Sequence, residues 1–313
     1  MNIIETTGLS HRYWSTEFSQ GFWRTPALNG LNLAVPAGSV FALLGANGAG
    51  KTTAIKVLMN LLEPSAGSAL VLGVDSRRLG ERERAQIGYV SENQKLPLWM
   101  SVQQLLDYCR PFYPTWDPAL EARLLAQFAL PPDRKLKNLS RGMLMKAALL
   151  STLAYRPKLL VLDEPFSGLD PLARDDFVRG ILEASELGDW TVLVSSHDIE
   201  EVERLADHVA LLESGRLCFS ETTDSLLGRF RRVEVTLSGP AQPAAAPPPG
   251  WLEIEQKGGL VRFIDTAYER TATEHACRER FPEAAVTASP MTLREIFVTL
   301  ARKTRNQPNG TAA

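Results

Sequence analysis

Val40-Phe41-Ala42-Leu43-Leu44 runs straight into Gly45-Ala46-Asn47-Gly48-Ala49-Gly50-Lys51-Thr52-Thr53, and this passage decides how the whole chain is read. An unbroken apolar run suits a strand buried on both faces. The apolar spacing of Thr52–Leu62 predicts a helix, so the intervening segment is a strand–loop–helix junction. Glycines there let successive backbone N–H groups wrap phosphate oxygens, and the helix N-terminus adds the positive end of its dipole. Lys51 supplies a point charge to β- and γ-phosphates, and the Thr52 hydroxyl can join a Mg2+ shell. The bland alternative is a flexible glycine turn, against which the strand–loop–helix context argues. The passage predicts a nucleotide site.

Leu159-Leu160-Val161-Leu162-Asp163-Glu164 is a second apolar strand, ending in adjacent carboxylates. Side chains alternate along a strand, so neighbours at its mouth can take different duties. Asp163 would hold Mg2+ through water, and Glu164 would orient and polarise an attacking water. An N-cap pair before Pro165 is the competing explanation, weak once Lys51 is present.

Working outward, further buried-strand runs occur at Thr191–Ser195 and His208–Leu212. Helical spacing marks Ser101–Tyr113, Asp117–Leu130, Leu144–Ala154 and Ala173–Ser185. Strands alternating with helices predict an α/β fold with a largely parallel sheet, interrupted by a helical insertion over about 91–152. The texture changes near Phe230. A strand is expected at Val233–Leu237, followed by a Pro/Ala linker, Gly239–Gly250. Trp251–Gln256 and Leu260–Ile264 alternate around Lys257-Gly258-Gly259 as a hairpin, with helices at Ala267–Phe281 and Thr292–Lys303. These make a small α+β domain over 229–305 behind a main domain of 1–228, with a loose tail from Asn306.

The 313 residues carry 34 Lys and Arg against 36 Asp and Glu, a net charge of −2, which excludes a generally basic nucleic-acid coat. Three scattered cysteines, Cys109, Cys218 and Cys277, form neither a disulfide framework nor a metal knuckle and fit a reducing compartment. No apolar run is long enough to cross a membrane. The N-terminal Met1-Asn2-Ile3-Ile4-Glu5 shows no secretory signal, so the chain is expected in the cytosol.

Three more features narrow the chemistry. Leu139-Ser140-Arg141-Gly142-Met143 precedes a strongly helical run, Ser167-Gly168-Leu169-Asp170 follows the paired carboxylates, and Ser195-Ser196-His197-Asp198 ends the next strand. With these in hand, the chain over about 1–228 resembles the ATP-binding subunit of an ABC transporter, a P-loop ATPase. The resemblance implies that Gly45–Thr53 is its Walker A loop, Leu159–Asp163 its Walker B strand and Glu164 its catalytic carboxylate. It implies that Leu139–Met143 is its signature motif, departing from the commonest LSGGQ at Arg141 and Met143 but keeping Ser140 and Gly142. His197 takes the place of the switch histidine that reaches the γ-phosphate, Asp170 that of the residue at the dimer seam, and Tyr13 that of an aromatic stacking on adenine. A surface aromatic is the other reading of Tyr13. Glu92 stands where the family usually has glutamine, a role in which it can ligate Mg2+ or order water.

Further implications are an ATP-hydrolysing dimer that closes around two Mg-ATP, homodimeric or paired with a related ATPase subunit. A separate integral membrane permease is the expected partner, docked near Glu92 and Leu96–Trp116, a stretch rich in Trp99, Tyr108, Phe112, Tyr113 and Trp116. Glu92 and the appended C-terminal domain favour export, from the cytoplasmic face. The alternatives are an ABC ATPase acting on nucleic acid or ribosomes, for which the chain shows no broad basic footprint, and a small-molecule kinase, for which Leu139–Met143 and His197 would be coincidence. The long loop carrying Trp14, Phe18, Phe22 and Trp23 is expected to pack on its own domain.

Overall fold

In the computed structural model, which describes residues 1–15, 23–186, 190–237 and 247–306, the unit Met1–Ser220 opens with strands. Asn2–Ser15 (β1) pairs antiparallel with Trp23–Leu31 (β2) and with Ala34–Pro36 (β3). Val40–Leu44 (β4) leads through the glycine loop into Lys51–Leu58 (α1). Ala66–Val71 (β5) and Val74–Asp75 (β6) return to the first sheet, whose order is β2-β1-β5-β6 with β3 beside β1. This antiparallel sheet has no clean sequence signal because β1 buries the polar Thr6 and His11 alongside Ile4 and Leu9. Thr6 is satisfied there: its hydroxyl donates to Leu31 O (2.9 Å) and accepts from Leu33 N (2.8 Å). Phe18 and Phe22 of the aromatic loop lie outside the described residues, as do 238–246 of the linker and 307–313 of the tail.

A short helix, Glu81–Arg84 (α2), precedes Ile87–Ser91 (β7). The insertion follows as Val102–Cys109 (α3), Pro118–Gln127 (α4) and Arg141–Leu153 (α5). Then come Leu159–Asp163 (β8), Pro171–Glu186 (α6), Thr191–Ser196 (β9), His208–Glu213 (β10) and Arg216–Thr222 (β11). The second sheet runs β11-β10-β4-β9-β8-β7 and is parallel from β10 to β7. Strands β4, β8 and β9 are buried along their whole length, which is why they read as continuous apolar runs. One core cluster joins Ile4, Leu31 and Val35 of the first sheet, Phe41 and Leu43 of the second, and Ala54, Ile55 and Leu58 of α1. Each fully buried Ile, Leu, Val or Phe among them contributes about 1.5–3 kcal/mol. The phosphate loop is thereby held on a helix clamped between two sheets.

Helix boundaries differ from the sequence expectation for identifiable reasons. α1 stops at Leu58, short of the expected Leu62, because Asn60 adopts a left-handed φ of 55° and the Leu61 and Leu62 amides turn back onto Lys56 O. α5 begins at Arg141, three residues earlier than expected, because the Ser140 hydroxyl accepts from Met143 N (3.2 Å) as N-cap.

The unit Glu221–Ala313 contains Thr223–Arg229 (α7), Arg231–Thr236 (β12), Trp251–Lys257 (β13), Leu260–Asp265 (β14), Arg270–Arg280 (α8), Ala285–Pro290 (β15) and Leu293–Asn306 (α9). Its antiparallel sheet runs β13-β14-β12-β15. Val233, Val235, Trp251, Val261 and Phe263 form the core with Cys277 of α8, and the Trp251 and Phe263 rings stack at 3.8 Å. α8 starts at Arg270 instead of Ala267, since Glu269 caps it through Thr271 N and Ala272 N. β15 was hidden in the sequence by its small, mostly exposed side chains.

Candidate functional site

Two glycines of the loop lie too close to neighbouring backbone for side chains. A Cβ at Gly45 would lie 2.4 Å from Leu212 O, and one at Gly50, where φ is +107°, would lie 2.4 Å from Ala27 O. The loop is also tied to the sheet, with Gly45 N donating to Ser196 O (3.3 Å) and Gly215 N to Ala49 O (2.9 Å). The first turn of α1 carries no acidic residue and no side-chain cap, leaving its dipole to an incoming anion.

Lys51 is buried at the loop mouth, its ammonium donating to Gly45 O (2.6 Å) and Ala46 O (3.2 Å) and pairing with Glu164 Oε1 at 3.0 Å. The other oxygen, Glu164 Oε2, lies 2.7 Å from His197 Nδ1. Thr52 Oγ1 donates to Asp163 Oδ1 (3.0 Å), which also accepts from Ser195 Oγ (2.8 Å). Ser195 Oγ in turn accepts from Glu164 N (3.0 Å). Lys51, Thr52, Asp163, Glu164 and His197 are thus one connected cluster at the C-terminal ends of β4, β8 and β9. Glu164 itself sits at a left-handed φ of 50°.

Burial pushes the Asp163 carboxyl above its ordinary range, opposed by the Ser195 and Thr52 hydroxyls and reinforced by the adjacent Glu164. A divalent cation would reverse that bias, and the Thr52–Asp163 oxygen pair is the right chemistry for Mg2+. Among the described residues no cluster of three or more His, Cys, Asp or Glu could hold a metal alone. Mg2+ needs none, since it keeps several waters and takes one or two carboxylates plus substrate phosphates.

The Tyr13 hydroxyl lies 3.2 Å from Thr53 Oγ1, with its ring edge-on to His11 at 4.8 Å and 41% of the residue exposed. An aromatic face is thereby available next to the start of α1. Glu92 is placed differently from the other acids. Its backbone N donates to Asp163 O (3.0 Å), but its carboxylate turns to Arg141 Nη2 (2.6 Å) and Ser167 Oγ (2.8 Å). Partial burial alone would raise its pKa; the Ser167 and Arg141 hydrogen bonds outweigh that and hold the carboxyl below the usual range. Gly142 packs so closely on α6 that a Cβ there would lie 2.8 Å from Ala173 Cβ. Met143 donates its backbone N–H to Ser140, and Asp170 accepts from Ala173 N (2.9 Å) at the start of α6.

Two features went unread in the sequence. Ser195, though quoted within the Ser-Ser-His-Asp run, ties the Asp163 carboxylate at the end of β8 to the backbone N–H of Glu164. Ser196 Oγ donates to buried Glu201 (2.7 Å), which pairs with Arg174 of α6 (3.0 Å), bracing the turn that carries His197. The insertion aromatics divide cleanly. Trp99, Tyr108 and Phe112 are exposed. Tyr113 instead stacks on Tyr155 at 3.7 Å, and Trp116 Nε1 donates to Glu121 (2.6 Å).

Comparison with known proteins points the same way. Residues 28–167 match the family described as ABC transporter, and residues 132–203 match one described as AAA domain, putative AbiEii toxin, Type IV TA system. An uncharacterized ABC transporter ATP-binding protein of Synechocystis is 33% identical over 249 residues, covering 76% of this chain and 68% of that protein. The daunorubicin/doxorubicin resistance ATP-binding protein of Streptomyces peucetius is 35% identical, covering 71% and 66%. The nickel import ATP-binding protein of Rhodobacter capsulatus is 38% identical, covering 65% and 86%. Among solved structures, an ATP-binding subunit of an ABC transporter superposes with a TM-score of 0.60 at 29% identity, covering 72% of this chain and 91% of that one.

Proposed function

The chain belongs to the ABC transporter ATP-binding proteins, a family of P-loop ATPases, and from that premise we propose that two copies close around two Mg-ATP and drive a separate membrane permease in the export direction. The observation that carries the reading is the single cluster of Lys51, Thr52, Asp163, Glu164 and His197 at the mouth of the glycine loop.

Lys51 takes the β- and γ-phosphates, exchanging Glu164 for the nucleotide. Thr52 and Asp163 would hold Mg2+, which would neutralise charge on the phosphates. Glu164, released from Lys51 and still oriented by His197, accepts a proton from the attacking water. Ser195 fixes Asp163 and the Glu164 backbone, so the two carboxylates keep their separate duties. Tyr13 offers its ring to adenine. Ser140 and Gly142, with Asp170 at the seam, face the nucleotide held on the partner's Gly45–Thr53. Charge-assisted hydrogen bonds contribute about 1.5–3 kcal/mol each. Several across two sites therefore reach the roughly 5.5 kcal/mol needed to invert a 1:99 open-to-closed population.

None of the described helices is long and apolar enough to cross a membrane; the relatives are named ATP-binding proteins of ABC transporters, which supports a separate membrane partner with this subunit on the cytoplasmic face. Exposed Trp99, Tyr108 and Phe112 are the side chains to receive it. Export is favoured by Glu92 and by the accessory domain of residues 229–305; relatives are named for drug resistance and Nod factor export, and one for nickel import. Copurification with a polytopic protein, followed by ATP-dependent substrate movement in inverted vesicles, tests the reading. Recovery of ribosomes or nucleic acid instead, or movement in the import direction, overturns it.

A further inference from the structure

Arg141 is the residue by which this chain departs from the usual signature, and it occupies an electrostatically awkward place. It is the first residue of α5, where the positive end of the helix dipole disfavours a cation. The structure compensates with Glu92, whose Oε1 accepts both Arg141 Nη2 (2.6 Å) and Ser167 Oγ (2.8 Å). The guanidinium also fills the space over Gly168: a Cβ there would lie 2.8 Å from Nη1 and 2.9 Å from Cζ. One carboxylate oxygen thus joins the segment after β7, the start of α5 and the turn between β8 and α6. Both partners remain accessible to solvent, with side chains 50% and 30% exposed, so the link can be exchanged.

We propose that the Glu92–Arg141 ion pair is a latch of the nucleotide-free subunit, and that Arg141 exchanges Glu92 for the terminal phosphate of the ATP brought by the second copy. This rests on the closing dimer described above. The argument is one of competition. Held through Oε1 by Arg141 and Ser167, the Glu92 carboxylate is turned toward the start of α5 and away from a metal or water at the nucleotide, whereas a triphosphate beside Ser140 offers Arg141 a denser negative charge and two oxygens for its planar fork. Exchange frees Glu92 when the phosphate arrives and loosens the turn at Gly168 at the same moment. Arg141 is then an attractive element of closure, and Glu92 a restraint upon it.

The two residues should therefore act in opposite directions. In a Glu164→Gln background, with ATP and EDTA so that any metal duty of Glu92 is absent, dimer formation is followed by light scattering against ATP concentration. Glu92→Gln is expected to lower the ATP concentration for half-dimerisation about three- to fivefold, the fold-change that a partly exposed ion pair carries. Arg141→Gln is expected to raise it, with Arg141→Lys in between. Binding of a fluorescent ATP analogue to dilute monomer stays unchanged in all three. Shifts in the same direction, or none, overturn the latch while leaving the dimer intact. Absence of an ATP-dependent dimer in the Glu164→Gln parent, with Mg2+ as well as with EDTA, overturns the dimer reading together with the latch.

Discussion

Lys51 and Glu164 form an ion pair, Nζ to Oε1 at 3.0 Å, with side chains only 5% and 14% exposed. The lysine proposed for phosphate and the carboxylate proposed for water thus neutralise each other. Under the proposed function, phosphate replaces Glu164 at Lys51 and thereby frees Glu164 to act as base.

Glu164→Gln removes the charge while retaining an oxygen toward His197. Hydrolysis should fall about 10²–10⁴-fold, the range for losing a general base. Nucleotide affinity should hold or tighten, because Lys51 no longer has to leave a carboxylate. Steady-state phosphate release and nucleotide titration check the two halves separately. Hydrolysis at the parent rate would remove Glu164 from the role of base.

Ser195→Ala tests the joint between the carboxylates. The hydroxyl donates to Asp163 Oδ1 and accepts from Glu164 N, and the residue is fully buried. Losing both bonds leaves buried groups unsatisfied, at a cost of about 1–3 kcal/mol. Thermal unfolding should register that loss. The Mg2+ concentration for half-maximal ATPase should also rise, since Asp163 is then held by Thr52 alone. A stability loss with unchanged Mg2+ dependence would make Ser195 purely structural.

Much of this was legible in the sequence, and the boundary of legibility is physical. Strands β4 and β8 were read to the residue because parallel strands buried on both faces are unbroken apolar runs. The antiparallel sheet was not, because β1 hides Thr6 and His11 by hydrogen bonding them, to backbone in each case. Residues with chemistry were legible where a motif gathers them within a few positions, as in Gly45–Thr53. The Glu92–Arg141–Ser167 junction joins segments 49 and 75 positions apart, and no local pattern announces it. The motif order suggests a metal or water role for Glu92, and only the structure adds that its carboxylate engages Arg141 and Ser167.

Asp117 gives the insertion a pH-sensitive anchor. One carboxylate oxygen caps α4 through Ala119 N and Leu120 N, and the other accepts two bonds from Arg156. The Leu120 amide, then Arg156, hold this carboxyl below its ordinary range. The folded state therefore binds this proton less readily than the unfolded chain, whose value is about 3.9. The stabilisation is present above that value and is lost as pH falls through the lowered folded one. Asp117→Asn keeps a capping oxygen but drops the charge. It should cost about 1 kcal/mol or less at neutral pH, given the exposure of Arg156. The difference from the parent should shrink below about pH 4 in urea titrations. A gap that persists undiminished there would mean that the charge plays no part.

The loop glycines should differ in a way their shared motif conceals. Gly48 and Gly50 both have positive φ, 83° and 107°. A Cβ at Gly48 would meet nothing within 4 Å, whereas one at Gly50 would meet Ala27 O at 2.4 Å and Leu28 Cδ2 at 3.1 Å. Gly48→Ala therefore carries only the backbone penalty of about 1–2 kcal/mol. Gly50→Ala adds a collision with a backbone carbonyl that β2 cannot move without disturbing its pairing with β1, and should cost about 3 kcal/mol or more. Measured without nucleotide, so that phosphate binding plays no part, the unfolding midpoints should fall in the order parent, Gly48→Ala, Gly50→Ala. Equal midpoints for the two variants would show that the close approach to Ala27 is not what requires glycine at position 50.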